Sequence, residues 1–194
     1  MILIVYLIGS IPSGYILVKL IKRKDIRKFG SGNIGMTNVW RVAGPFLGIS
    51  TLLLDISKGV ISIYLPSILF NVNSAELKVL CGIFVLLGNV FSIFLNFKGG
   101  KGVGVSIGVF FTILPLECLI GLAVFLILLL IFRIVSIGSL GAFTIVTIIT
   151  FLFQQSHIID YFITISCILI WWTHRENIKR IIAGTENKIL KRDL

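Results

Sequence analysis

Residues 105–132 read VSIGVFFTILPLECLIGLAVFLILLLIF, and this stretch decides the class of fold. Glu117 is its one carboxylate, and the run exceeds the roughly 20 apolar residues that a helix needs to cross a hydrocarbon core about 30 Å thick. At about 1.5 Å per residue, however, it is too short for two complete spans. A turn near Pro115 and Glu117 would divide it into two short or re-entrant helices.

The rest of the chain alternates apolar runs with short polar segments, as helical membrane proteins do. Hydrophobic residues make up 57% of the chain and charged residues 13%, whereas a soluble domain carries roughly 25% charged residues. No internal repeat or linker interrupts the pattern. It predicts one all-α polytopic membrane domain, residues 1–194, of about seven transmembrane or partly spanning helices. The further apolar runs cover residues 1–21, 46–70, 77–95, 134–153 and 158–172.

The basic residues are gathered in three connectors, and their distribution predicts the topology. Residues 22–41 hold six basic residues against one acidic residue, residues 173–194 hold six against three, and residues 96–104 add two lysines. The positive-inside rule places these connectors in the cytoplasm, with the amino terminus outside and the carboxyl terminus cytoplasmic. The number of crossings must then be odd, which requires residues 105–132 to enter and leave on the same face. The net charge of +10 lies on short connectors rather than on a soluble scaffold, which disfavours nucleic acid as a partner.

The first motif, residues 30–41, reads GSGNIGMTNVWR and has the composition of an anion-binding loop. Its glycines let backbone N–H groups approach a ligand closely. Ser, Thr and Asn side chains add neutral donors, and Arg41 can bind a phosphate through two hydrogen bonds. A flexible loop of turn residues would have the same composition, so the segment alone does not decide between the two interpretations.

The second motif, residues 97–104, reads FKGGKGVG and leads directly into an apolar run. Glycines and lysines ahead of a helix amino terminus are typical of a phosphate or carboxylate site. A Walker A loop is disfavoured, because Gly102 follows Lys101 where that loop needs Ser or Thr. The alternative is that Lys98 and Lys101 only flank a membrane helix on its cytoplasmic side.

The third motif, residues 173–180, reads THRENIKR and directly follows two tryptophans that are typical of a membrane interface. In a helix, His174, Asn177 and Ile178 would share one face. Histidine is the side chain best suited to proton transfer near neutral pH. A histidine beside tryptophans is also often a simple interfacial residue, so both interpretations stay open.

Polar side chains inside the apolar runs also need an explanation. Asp55 and Lys58 lie three residues apart on one helix face, and we expect a structural ion pair. Ser136 and Ser139 lie just after Arg133, where they could face a site or pack helices together.

Four groups of short motifs along the chain occur in the same order as the motifs of a known family. They are SIPSGY at residues 10–15, DIR with GSGN and TNVWR within 25–41, FKGGKGV at 97–103, and HRENIKR with GTE within 174–186. Together they resemble the bacterial PlsY family, the membrane acyl-phosphate:glycerol-3-phosphate acyltransferases. The resemblance implies the seven-helix fold of that family, with the amino terminus outside.

The resemblance also implies a reaction. A fatty acyl phosphate would donate its acyl group to the 1-hydroxyl of sn-glycerol 3-phosphate, giving 1-acyl-glycerol 3-phosphate (lysophosphatidic acid) and phosphate. This is the first acylation of phospholipid biosynthesis, at the cytoplasmic face of the bacterial cytoplasmic (inner) membrane. The implied partners are acyl phosphate, glycerol 3-phosphate and membrane lipid, with a functional link to the enzyme that makes acyl phosphate and to the second acyltransferase.

The family's functional residues map onto this chain position by position. The implied catalytic residues are Ser31, Arg41, His174 and Asn177. Glu186 would be structural. The implied substrate-binding residues are Asn33, Thr37, Asn38, Lys98, Gly99, Gly100, Lys101, Gly102, Ser139 and Arg175. The chain departs from the family pattern at Asn89, where His is usual, and at Met36, where Ala is usual.

The proposed chemistry agrees with the residue types. An acyl phosphate already carries a good leaving group, so the enzyme must mainly hold two phosphates and align a hydroxyl on the carbonyl. Proton removal could fall to His174 or to a phosphate oxygen of the substrate, and neither a covalent acyl-enzyme nor a metal, nucleotide or other cofactor is expected. The cations suited to the phosphates are Arg41, Lys98 and Lys101. The donors suited to the developing oxyanion are Ser31, Asn33 and Thr37.

Two other functions would use many of the same features. A transporter of a phosphorylated solute would also use broken helices with anion sites, but here the polar motifs cluster on one predicted face. A membrane scaffold would explain the basic connectors and leave His174, Asn177 and the ordered glycines without a task.

Overall fold

The computed structural model describes residues 1–153 and 156–189, which form ten α-helices and two short 3₁₀ turns. No strand occurs among these described residues, and the predicted all-α fold is confirmed. The 3₁₀ turns cover Ile26–Lys28 and Ile93–Leu95. In chain order the helices are α1 (Ile2–Ser10), α2 (Ser13–Lys22), α3 (Met36–Ala43), α4 (Pro45–Phe70), α5 (Ala75–Val90), α6 (Val103–Ile113), α7 (Pro115–Phe132), α8 (Val135–Leu152), α9 (His157–Thr173) and α10 (Arg175–Ile182).

The helices belong to two compact units. Unit 1 is Met1–Ile113 and contains α1 to α6, and unit 2 is Leu114–Leu194 and contains α7 to α10. The first and second motifs therefore lie in unit 1, and the third motif lies in unit 2. A single domain over residues 1–194 stays a prediction.

Among the described residues, four helices are long and apolar enough to cross a membrane, a bent pair makes a possible fifth crossing, and two shorter helices are also apolar. α1 and α2 together are apolar enough for one crossing and are bent by 40° at their junction. The helices α6 and α9 are apolar but shorter. On α7, apolar side chains point outward along the helix, with Leu130 79% exposed, as expected of a helix surrounded by lipid. The four segments long enough to cross alone are Pro45–Phe70, Ala75–Leu95, Pro115–Phe132 and Val135–Leu152.

The long apolar stretch at residues 105–132 breaks where proline predicts. α6 ends at Ile113, Leu114 is non-helical, and Pro115 begins α7. The expectation of two short helices holds for α6, with 11 residues, but is wrong for α7, with 18. The difference arises because Pro115 lies nearer the start of the run than its end, so everything from Pro115 to Phe132 is left to α7. The return of the chain to the same face stays a prediction.

Glycines bring the helices of unit 1 into close contact. A Cβ on Gly9 of α1 would overlap the carbonyl oxygen of Val85 in α5. A Cβ on Gly108 of α6 would likewise overlap the carbonyl oxygen of Ile56 in α4. In lipid the hydrophobic effect does not drive helices together, so close packing through small residues contributes much of the association energy.

A small apolar core fixes the connector between α2 and α4. Ile34 of the first motif and Val39 of α3 are both buried in this core, so the first motif is anchored on the neighbouring helices. The alternative of a flexible loop does not fit this packing. The buried members of the core are Val18, Ile26, Ile34, Val39, Leu47 and Leu95.

In unit 2, α8 packs between α7 and α9. The ring of Phe125 in α7 would lie 2.9 Å from a Cβ on Gly138 of α8, so the glycine makes room for the ring. Trp171 of α9 donates its indole N–H to the hydroxyl of Thr144 in α8 at 3.2 Å. These contacts place the end of α9, where the third motif begins, beside α8.

Candidate active site

Asn38 organises the loop of the first motif. Its side-chain NH₂ donates to the carbonyl oxygens of Phe29 at 3.1 Å and Asn33 at 2.8 Å, and its Oδ1 accepts the backbone N–H of Ser31 at 2.9 Å. The side chain is buried, so it replaces the missing backbone partners of a loop that has no regular structure. Gly30 has φ +58°, and a Cβ there would overlap the Asn38 oxygen. The sequence predicted Asn38 as a substrate contact, whereas its observed hydrogen bonds all shape the loop.

The same loop leads into α3, which carries Arg41. The Oδ1 of Asn33 accepts the N–H of Gly35 at 2.8 Å, a local turn that sets the start of the helix. Arg41 follows in the last turn of α3. Ser31 is exposed at the loop, and Thr37 lies half-buried in the first turn of the helix. One short segment therefore carries a cation and several neutral donors.

Arg27, another arginine of this connector, forms an ion pair within the connector. Its guanidinium donates to both carboxylate oxygens of Asp25, at 2.9 and 2.7 Å, and lies 4.9 Å from the centroid of the Tyr15 ring. The hydrogen bonds from Arg27 lower the pKa of Asp25 from 3.8 to about 2. Arg27 is thus tied to a local ion pair, and Arg41 is the better candidate for binding a phosphate.

The second motif is attached to the end of α5 by its two glycines. The N–H of Gly99 donates to the Val90 carbonyl and that of Gly100 to the Asn89 carbonyl, both at 2.9 Å. A Cβ on Gly99 would overlap the Asn89 carbonyl oxygen. The two glycines therefore cap the carboxyl end of α5, which is a structural task that the sequence did not predict for them.

After this attachment, the second motif opens into α6. Gly102 has φ +86°, and α6 begins at the next residue, Val103. The first-turn N–H groups of a helix have no acceptor within that helix, and they carry the positive end of its dipole. Lys101 is half-buried beside them, and Lys98 is exposed. The predicted arrangement of glycines and lysines at a helix amino terminus is confirmed.

The first and second motifs lie against each other through Ile34. A Cβ on Gly100 would lie 3.7 Å from Ile34 Cγ1 and 3.2 Å from the side-chain oxygen of Asn89. On its other side, the Ile34 carbonyl approaches Gly14 of α2 so closely that a Cβ there would overlap it. Residues 66 positions apart thus pack against each other in unit 1. Neither Ile34 nor the position of Asn89 at this contact was predicted from the sequence.

The expected ion pair of Asp55 and Lys58 is confirmed. Lys58 Nζ lies 2.6 Å from Asp55 Oδ1 and also donates to the Ile11 carbonyl at 2.6 Å. Asp55 packs against Gly104, the second residue of α6, where a Cβ would lie 2.8 Å from Asp55 Cβ. The pair therefore lies directly beside the start of α6.

In unit 2, His174 forms the junction of α9 and α10. It is 2% exposed, and its Nδ1 lies 2.8 Å from the Ile170 carbonyl oxygen. A carbonyl can only accept, so Nδ1 carries a proton in this hydrogen bond. This burial and the fixed ring do not fit the alternative of a simple interfacial histidine.

Glu186 joins α8 and α10 through three hydrogen bonds. Ser136 donates to its Oε1 at 3.0 Å, Asn177 donates to the same oxygen at 2.5 Å, and Arg180 donates to its Oε2 at 2.6 Å. Burial raises the pKa of Glu186, but the hydrogen bonds from Asn177, Arg180 and Ser136 outweigh it, so the pKa lies below its ordinary value. The carboxylate fixes the amide of Asn177, a predicted catalytic residue.

The other two predicted residues of unit 2 differ in their surroundings. Ser139 is buried on α8, one turn after Ser136 and on the same face. Arg175 is exposed, its guanidinium lies 4.5 Å from the ring centroid of Trp172, and it donates to the Trp172 carbonyl at 3.2 Å. Ser139 thus lies near the Glu186 cluster, whereas Arg175 is held on the interfacial tryptophan.

The predicted site residues therefore form one group in each unit. In unit 2, Ser139, His174 and Asn177 lie on or next to helices tied by Glu186. Their roles toward a substrate stay predictions. In unit 1 the contact of Ile34 with Gly100 joins the first and second motifs, which carry Ser31, Asn33, Thr37, Arg41, Gly99, Gly100, Lys101 and Gly102.

Comparisons with known proteins agree with these motifs. The chain matches the family model described as glycerol-3-phosphate acyltransferase over residues 1–184. It is 42% identical over 187 residues to glycerol-3-phosphate acyltransferase 2 of Bacillus anthracis, covering 95% of each chain. It is 43% identical over 189 residues to the glycerol-3-phosphate acyltransferase of Endomicrobium trichonymphae, covering 97% of this chain and 94% of the relative. The crystal structure of PlsY (YgiH), an integral membrane glycerol 3-phosphate acyltransferase, in its glycerol 3-phosphate form, is similar with a TM-score of 0.90 and 34% identity, covering 96% of this chain and 92% of that one.

Proposed function

Because the chain belongs to the glycerol-3-phosphate acyltransferase (PlsY) family, we propose that it transfers a fatty acyl group from an acyl phosphate to the 1-hydroxyl of sn-glycerol 3-phosphate. The family establishes an integral membrane acyltransferase that acts on glycerol 3-phosphate. The acyl phosphate donor, the 1-hydroxyl and the product lysophosphatidic acid are the proposal.

The contact between the first and second motifs is the observation that carries this proposal. Two anionic substrates repel each other, so an enzyme that joins them needs two sets of donors side by side. Ile34 and Gly100 bring the arginine-bearing first motif against the lysine-bearing second motif. A protein that bound only one phosphate would need one such loop.

We assign the binding of the phosphates mainly to Arg41, Lys101 and backbone N–H groups. Arg41 has the planar, bidentate geometry that suits a phosphate dianion. The N–H groups at the start of α6, with Lys101 beside them, make a site for the second phosphate. The further predicted contacts to the substrates come from Asn38, Lys98, Arg175 and Ser139.

The proposed acyl transfer needs one bond formed and one broken. The 1-hydroxyl oxygen attacks the acyl carbonyl carbon, and the bond from that carbon to the phosphate oxygen then breaks and releases inorganic phosphate. Donors such as Ser31, Asn33 and Thr37 would stabilise the intermediate oxyanion. The hydroxyl proton passes to His174 or to a phosphate oxygen of the substrate. Because the hydroxyl attacks the donor directly, the proposal includes no acyl-enzyme.

The cellular setting follows from the same proposal. The basic connectors, two between apolar helices and one after α9, support an amino terminus outside and a cytoplasmic active site in the bacterial inner membrane. The reaction would then link an enzyme that makes acyl phosphate to a second acyltransferase. Family membership removes the support for a solute transporter, and no observation on the described residues favours it.

The choice of donor tests the proposal. Purified protein in lipid is given glycerol 3-phosphate with palmitoyl phosphate, palmitoyl-CoA or palmitoyl-acyl carrier protein, and lysophosphatidic acid is measured by mass spectrometry. We expect product from palmitoyl phosphate alone. Product from a thioester, or none from palmitoyl phosphate with folded protein, would contradict the proposed donor.

A further inference from the structure

The Asp55/Lys58 pair has an unusual position for an ion pair inside a membrane helix. Both side chains are largely buried, with 15% of the Asp55 side chain and 7% of the Lys58 side chain exposed. Charges inside a membrane protein are costly, and a buried ion pair is a weak source of stability. The pair is therefore a candidate for a functional role.

Each charge of the pair lies at the helix end that suits its sign. Asp55 packs on Gly104 in the first turn of α6, and its Oδ2 would lie 3.5 Å from a Cβ there. Lys58 donates to the carbonyl of Ile11, which follows the last residue of α1. The positive end of the α6 dipole favours the carboxylate, and the negative end of the α1 dipole favours the ammonium group.

This position has an electrostatic consequence for the second motif. The start of α6, where Asp55 lies, is also the proposed phosphate site, formed by the residues around Lys101 and Gly102. An unneutralised carboxylate there would repel a phosphate dianion. Lys58, at 2.6 Å, supplies the neutralising charge.

We propose that the Asp55/Lys58 pair sets the affinity of the second motif for the phosphate of glycerol 3-phosphate. Lys58 is a positioning residue in this sense: it does not touch the substrate and acts by cancelling the charge of Asp55. The inference rests on the proposed function, because it takes the second motif as a phosphate site. It predicts that the two charges have opposite effects on substrate affinity.

Four variants measured with palmitoyl phosphate and glycerol 3-phosphate test this inference. Lys58→Met removes the ammonium group that faces Asp55 and should raise the KM for glycerol 3-phosphate about tenfold, with kcat changed much less. Asp55→Asn removes the carboxylate beside the start of α6 and should lower that KM. The double variant should return it to within about twofold of the wild type. Lys78→Met, which removes a lysine from α5, is the matched control and should leave KM unchanged.

A structural role gives a different pattern. If the pair only holds helices together, both single variants lose thermal stability and raise KM or lower kcat in the same direction, which would overturn the inference. A double variant that stays as impaired as Lys58→Met would overturn it as well. Wild-type protein that makes no lysophosphatidic acid would instead contradict the proposed function, so the two failures are distinguishable.

Discussion

At the scale of single residues, a side chain buried among backbone groups shapes the candidate site. Asn38 uses both ends of its amide to hold the loop from Phe29 to Asn33, and so sets the position of the Ser31 N–H. Buried polar groups of a loop cost free energy when they lose a partner, because water does not replace it. The first motif therefore depends on a residue that does not need to touch the substrate.

Replacing Asn38 by Ala should disorder this loop. Two carbonyls and one N–H lose their partner, so we expect the free energy of unfolding to fall by about 2 kcal/mol and kcat/KM to fall roughly 100-fold. Thermal unfolding and initial rates measure both effects. Asn73→Ala, in an exposed connector, is the control. An Asn38→Ala protein with wild-type rates would show that the hydrogen bonds are dispensable.

Glu186 predicts a pH dependence of stability. Its pKa is lowered in the folded protein, so its contribution is present at pH values above the unfolded pKa of about 4.5 and is lost as the pH falls through the folded pKa. Between pH 7 and pH 3.5, Tm should therefore fall more for the wild type than for Glu186→Gln. Glu76→Gln, on an exposed position of α5, should behave as the wild type. Parallel curves for the wild type and Glu186→Gln would contradict this role.

At the scale of helices and loops, Gly99 and Gly100 of the second motif differ in how well they would tolerate an added side chain. A Cβ on Gly99 meets backbone, the Asn89 carbonyl, which cannot move without shifting the end of α5. A Cβ on Gly100 comes into tight contact only with the side-chain oxygen of Asn89, at 3.2 Å, which would need to move by a few tenths of an ångström. The loop is thus rigid at the first glycine and adaptable at the second.

We therefore expect graded effects of alanine in this loop. Gly99→Ala should lower kcat/KM at least 100-fold and reduce Tm, whereas Gly100→Ala should cost less than tenfold. Adding Asn89→Ala to Gly100→Ala should recover part of the loss, because it removes the contacting oxygen. Equal losses at the two glycines would mean that both act through direct contact with substrate.

The elements show which features local sequence can predict. The apolar runs predicted the long helices because lipid leaves the backbone no other way to pair its polar groups, and Pro115 predicted the start of α7. The contact of Ile34 with Gly100, and the use of Asn38 by backbone groups, follow from tertiary packing between distant segments. No spacing or periodicity in the sequence predicts such contacts. The sequence predicted His174 and Asn177 as catalytic residues and Glu186 as a structural residue. It did not predict that Glu186 holds the amide of Asn177.

At the scale of the whole molecule, the charge distribution predicts an orientation. In a protein without its own cysteines, Lys24→Cys and Lys179→Cys should react with an impermeant thiol reagent only from the cytoplasmic side. Asn73→Cys, between α4 and α5, should react only from the outside. Labelling of Lys24→Cys and Lys179→Cys from opposite sides would contradict the topology. The native cysteines to be replaced are Cys81, Cys118 and Cys167.

The central claim is that an acyl group passes directly from a mixed anhydride to glycerol 3-phosphate. Phosphorus NMR of the protein in lipid, supplied with palmitoyl phosphate and glycerol 3-phosphate, follows both reactants and both products at once. We predict that lysophosphatidic acid and inorganic phosphate appear in equal amounts, and that neither appears faster than the other. Release of phosphate without lysophosphatidic acid, or no consumption of palmitoyl phosphate by folded protein, would contradict the claim.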